Sequence, residues 1–64
     1  MKKQDTREFT CYANTHESAL AGLERKIVSH AEEHDHPFYQ VGVLDIKQRP
    51  DGHYAYASVE FYSF

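Results

Sequence analysis

The chain reads as an α+β fold: a single β-α-β-β domain over residues 1–64, with one helix packed on a three-stranded antiparallel sheet of order 1-3-2. Three observations predict it. Apolar and polar residues alternate before position 14 and after position 38, the period of two expected of half-buried strands. Between them Leu20, Leu23, Ile27 and Ala31 recur at helical spacing, with Val28 on the flank. Last, "QRPDGH" puts Pro50 and Gly52 where a tight turn joins two strands as a hairpin.

The elements follow in order. Residues 1–6 are polar and read as a flexible N-terminal segment. "REFTCYAN" is the first strand, with Phe9, Cys11 and Ala13 on one side and Thr10 and Tyr12 on the other. "NTHE" offers a helix start, with either Asn14 or Thr15 as the cap. The helix is expected over residues 18–34, with Gly22 inside it and Pro37 beyond its end. "PFYQVGVLDIKQ" is the second strand. Its apolar parity changes from Tyr39, Val41 and Val43 to Leu44 and Ile46, which calls for a bulge in residues 42–44. "HYAYASVEFYSF" is the third, with Ala55, Ala57, Val59 and Phe61 toward the helix. The right-handed crossover rule places this last strand between the other two.

The opposite sheet face is then expected to carry Tyr54, Tyr56 and Tyr62, with Tyr12 and either Phe38 or Leu44 and Ile46 from the neighbouring strands. A tyrosine-rich face without a second layer to cover it implies burial in a homo-oligomer or against a small aromatic ligand. Chain length points the same way. Single cores below about 70–80 residues seldom supply more than roughly 3–5 kcal/mol, and one cysteine, Cys11, permits no internal disulfide.

Composition excludes several classes of function. Net charge is −3 with neutral histidines, and the lysines and arginines are scattered, so no nucleic-acid partner is expected. No stretch approaches the roughly 20 apolar residues of a membrane span. The expected location is cytoplasmic if Met1 is the native start and periplasmic if a leader has been removed.

"SHAEEHDHP" is the strongest candidate for chemistry, because His30, Glu33 and His34 match the H-x-x-E-H pattern of one zinc-peptidase class and His36 adds a third imidazole. A chain of 64 residues has no room for the further ligand and the enclosing fold of that class. His30 and His34 are therefore expected to cap the helix C-terminus, with His34 nearer the core stripe and His30 at its edge. His30, His34 and His36 remain candidates for weak metal capture. Cys11 lies on a core-facing parity, which argues against a nucleophile, and the expectation is a protein that is not an enzyme.

The order of elements, together with "ANTHES", "YQV" and "DGHYAYASVEF", resembles the dodecins over about residues 8–63. Dodecins are small proteins with one helix on a three-stranded sheet that form hollow oligomers and bind flavin between subunits. The resemblance implies a non-enzymatic, oligomeric small-ligand-binding or sequestering protein, with Phe38, Tyr54, Tyr56 and Ser58 bordering the site and flavin as the ligand class. Phe38 stands where dodecins carry a flavin-stacking tryptophan, and Ser58 where they carry a flavin-contacting glutamine. "LERKIVSHAEEHDHPFYQV" and "ASVEFY" also resemble the small enterobacterial stress proteins of the YdgH, BhsA and McbA type, with Lys26, Ala31, Tyr39 and Val41 in register. That resemblance implies a stress-related or regulatory module whose interface is a face of Tyr12, Tyr54, Tyr56 and Tyr62 that docks on a protein partner.

Overall fold

A computed structural model describes residues 2–64 as β1 (Lys2–Ala13), α1 (His16–Glu33), β2 (Phe38–Arg49) and β3 (Gly52–Ser63). The sheet has the order β1-β3-β2, and both pairings are antiparallel, as the crossover rule predicts. β1 begins earlier than expected. Lys2 to Thr6 continue the ladder opposite β3, with an irregularity between Lys3 and Asp5, so they are strand; only Met1 of the expected loose end lies outside the described residues.

The helix also starts earlier than its apolar periodicity indicates, at His16. Of the two candidate caps it is Thr15 that acts: its backbone is extended and its side chain accepts from the Ser18 amide at 3.1 Å. At the other end His34 is the C-cap and Asp35 turns left-handed at φ 55°. The His36 amide reaches back to the Ala31 carbonyl at 2.8 Å, and that of Asp35 to Glu32 at 3.4 Å. This pair of bonds is a Schellman motif, with aspartate where glycine is usual, and Pro37 follows it.

One row of the helix, Ala19, Leu23, Ile27 and Ala31, is buried against Ala55, Ala57, Val59 and Phe61 of β3. Ala19 takes the place expected of Leu20, which is half-buried and turned toward β2. Half of these eight core residues are alanines, so helix and sheet approach closely and the core is thin. The approach is close at Gly22, where a Cβ would overlap Sγ of Cys11.

β2 bulges between Val41 and Val43. Before the bulge Tyr39 and Val41 stand opposite Phe61 and Val59; after it Leu44 and Ile46 stand opposite Ala57 and Ala55. All four therefore lie on the helix side, because directly opposed residues share a face. This corrects the expectation that Leu44 and Ile46 could join the open face: the bulge takes Gly42 out of the alternation and so keeps them on the side of the helix. The helix itself lies over β1 and β3 and scarcely touches β2. The result is a flat slab of 42 × 18 × 13 Å. Its radius of gyration is 12.5 Å, against about 11 Å for a closed globule of this length.

Candidate functional site

An apolar groove lies between α1 and β2. Tyr39 and Val41 are each 41% exposed and Leu44 is 55% exposed, although all three point to the side where the core lies. Leu20, Leu23 and Ile27 form the opposite wall, Ala57 lies at the base, and the cavity measures about 320 Å³. A contiguous apolar surface of this kind marks a contact site more often than a free surface. The sequence contains the signal, a strand whose apolar residues change parity about Gly42. Only the position of the helix, displaced toward β1, shows that they go uncovered.

The open face of the sheet carries the residues that the sequence singles out, and it is more polar than expected. Tyr54, Tyr56, Ser58, Glu60 and Tyr62 alternate along β3 with the core residues, and all are half-buried. Tyr12 stands opposite Tyr54, and Phe38 opposite Tyr62. Tyr54 and Tyr56 line a hollow of about 230 Å³ with Asp45, Lys47 and Arg49, which face them from β2. Ser58 lies two residues further on. Phe38 is at the far end, eight residues from Tyr54 when counted along β3, or about 26 Å. One chain thus brings Tyr54, Tyr56 and Ser58 together and holds Phe38 apart, where its ring meets that of Phe64 edge-on at 5.0 Å.

Carboxylates hold several of the tyrosine hydroxyls. Tyr12 donates to Asp51, and Tyr62 donates to Glu60. The Asp51 bond raises the Tyr12 pKa and lowers that of Asp51, since the charged acceptor is stabilised and the phenolate is not. Glu60 raises Tyr62 and Glu8 raises Tyr56 in the same way. These phenols stay neutral donors at physiological pH, with Glu8, Asp51 and Glu60 as their acceptors. Nothing in the sequence pattern singles out those acidic residues as phenol partners.

The histidines do not form the expected arrangement. It is His30 that packs inward, with its side chain 11% exposed, 4.6 Å from the Phe61 ring and 5.7 Å from Phe9 between ring centres. His34 is exposed, stacks on His30 at 4.2 Å, and caps the helix through a hydrogen bond between Nδ1 and the His30 carbonyl at 3.1 Å. The expected order of the two is thus reversed, because the Schellman turn carries residue 34 out of the core-facing row. Nε2 of His30 has no hydrogen-bond partner; the nearest carboxylate oxygen, on Asp5, is 3.5 Å away and is held by Arg7 at 2.8 Å. Nδ1 of His36 is likewise buried without a partner. Among the described residues no three His, Cys, Asp or Glu side chains are grouped so as to hold a metal ion.

Burial lowers the His30 pKa, the neighbouring His34 and Arg7 lower it further, and Asp5 offsets only part of this. The unfolded chain takes up this proton near pH 6.5, whereas the folded chain resists it until lower pH, so the unfolded state binds more protons between those values. Stability is therefore expected to fall as the pH drops from 7.5 to 5.5. Asp5, lowered chiefly by its bond to Arg7, adds a separate loss only below the usual carboxylate range, near pH 4. The midpoint of urea unfolding measures the effect, and a His30→Phe variant should flatten it over this interval. An unchanged slope in that variant would assign the dependence to other groups.

No family model, curated protein or solved structure matches the chain. Cys11 is a free thiol, half-buried and packed against the core. No helix of the described residues is long and apolar enough to cross a membrane.

Proposed function

We propose that the chain is a non-enzymatic, self-associating protein that binds or sequesters a small ligand, in the manner that its resemblance to the dodecins implies. The observation that supports this most is the uncovered strip of Tyr39, Val41 and Leu44 beside α1. Each Å² of apolar surface left in water forgoes roughly 25 cal/mol, and a core half made of alanine has little stability to forgo. Burial of the strip by further copies removes that deficit. The hollow of Tyr54, Tyr56, Lys47, Arg49 and Asp45 offers aromatic walls and two cations, a setting for a planar aromatic ligand with an anionic group.

Multi-angle light scattering at neutral pH and tens of micromolar protein tests the association. The expected mass is a multiple of 7.5 kDa; a peak at the monomer mass overturns the proposal. Quenching of riboflavin or FMN fluorescence tests flavin as the ligand. Quenching that Tyr56→Ala weakens supports the hollow as the site, and no quenching with excess protein removes flavin from the ligand class.

A further inference from the structure

We infer that a second copy docks on the outer edge of β2, antiparallel about a two-fold axis between Gly42 and Val43, so that two chains share one six-stranded sheet. This rests on the self-association proposed above and specifies its geometry.

The two edges of the sheet differ. β1 carries Lys2, Lys3, Asp5, Arg7 and Glu8 within its first seven residues, and the Lys26 amine takes the Thr10 carbonyl at 2.6 Å. Charges and covered carbonyls of this kind deter strand addition. β2 has no charged residue from Phe38 to Leu44. It is also the edge beside the apolar groove.

The bulge then selects the register. Helix-side residues are odd-numbered up to Val41 and even-numbered from Leu44. Two such strands run antiparallel keep their faces in step when the bulges lie opposite each other. In that register Val41 faces Leu44 of the second copy and Tyr39 faces its Ile46, and the two-fold repeats both pairs. A slip of one residue would set Val41 against Val43 or Asp45, which point to the other face. A slip of two would separate the bulges.

Side chains on the open face are compatible with the same register. Gln40 faces Asp45 of the second copy, Phe38 faces its Lys47, and no like charges are opposed. Ten paired residues make an edge about 33 Å long. A sheet layer of about 10 Å makes this contact on the order of 330 Å² per copy, smaller than the roughly 800 Å² per partner of standard interfaces, and the main-chain ladder supplies the attraction. The pairing also sets Phe38 beside Lys47 and close to Tyr54 of the second copy, since Lys47 pairs with Tyr54. Phe38, about 26 Å from Tyr54 within one chain, thus comes within two strand spacings, about 10 Å, of Tyr54 in the second copy.

Disulfide trapping in a Cys11→Ala background tests the register. A mixture of Val41→Cys and Leu44→Cys chains should cross-link under mild oxidation, whereas neither alone should. A residue and its own copy lie about three positions apart along the strands, roughly 10 Å, beyond the reach of a disulfide at about 7 Å. Gln40→Cys with Asp45→Cys repeats the test on the other face, in case one pair disturbs folding. Light scattering on the same samples separates the outcomes. An assembly in which neither mixed pair cross-links preferentially overturns the inferred register and leaves self-association standing; a monomer overturns both.

Discussion

Replacing Phe61 with alanine is expected to leave the isolated chain unfolded at 25 °C. Phe61 is fully buried and is the largest side chain in the core. Its ring lies within 6.1 Å, centre to centre, of the rings of Phe9, His30, His36 and Tyr39, so it joins all three strands to the end of the helix. Removing a buried phenylalanine costs about 3–5 kcal/mol, and cores of this size supply roughly the same amount in total. Nothing nearby can fill the gap, because the other seven core residues include four alanines and one valine. Circular dichroism with a urea titration checks this. A cooperative transition at the wild-type midpoint would show that the stability resides elsewhere.

A second large effect is expected at Gly22, and its sign runs against helix propensity. Alanine in place of glycine within a helix ordinarily gains up to about 1 kcal/mol. Here the added methyl would overlap Sγ of Cys11, so either strand and helix must separate or the thiol must leave its rotamer. Such overpacking costs typically 1–3 kcal/mol, and Gly22→Ala should therefore destabilise the protein by about 1 kcal/mol or more. The cycle with Cys11→Ala isolates the cause. Without the sulfur, the same Gly22→Ala change should stabilise. Equal losses in both backgrounds would disprove the steric account.

Both effects arise where helix and sheet approach closely, and this part of the fold was legible in the sequence. The alternation of Ala55, Ala57, Val59 and Phe61 with tyrosines reads directly as a central strand under a helix, because a period of two has one buried phase. The bulge was legible too, from the change of parity between Val41 and Leu44. Its consequence for Leu44 and Ile46 was not, since a change of parity alone does not say which half of the strand keeps the core side. Helix ends were legible only as candidates. Asp35, which supplies the left-handed turn, has no pattern that separates it from other polar residues after a helix.

The candidate site was legible by residue type and not by place. Aromatic residues at positions 38, 54 and 56 stand out in any reading, yet the antiparallel register puts Phe38 at the Tyr62 end of the sheet, far from Tyr54. Pairing register is a long-range property that a linear pattern does not carry. The exposure of Tyr39, Val41 and Leu44 is hidden for a similar reason, because it depends on where the helix lies across the sheet. His30 faces inward because its row of the helix ends under Phe61, a contact between residues 31 positions apart.

The bulge at Gly42 also bears on how a chain of this kind can change in length. Elsewhere in β2 a lost or gained residue would exchange the two sides of everything beyond it, whereas here the loss of one residue simply closes the bulge. Without Gly42, Val43 would follow Val41 directly and still stand opposite Ser58, and Leu44 and Ile46 would remain opposite Ala57 and Ala55 on the helix side. The glycine's own side chain contributes nothing to packing, and a Cβ there would meet only the Ser58 carbonyl at 3.7 Å. Both substitution and deletion at Gly42 leave the faces of the strand as they are; deletion removes only the local bend that the bulge gives this edge.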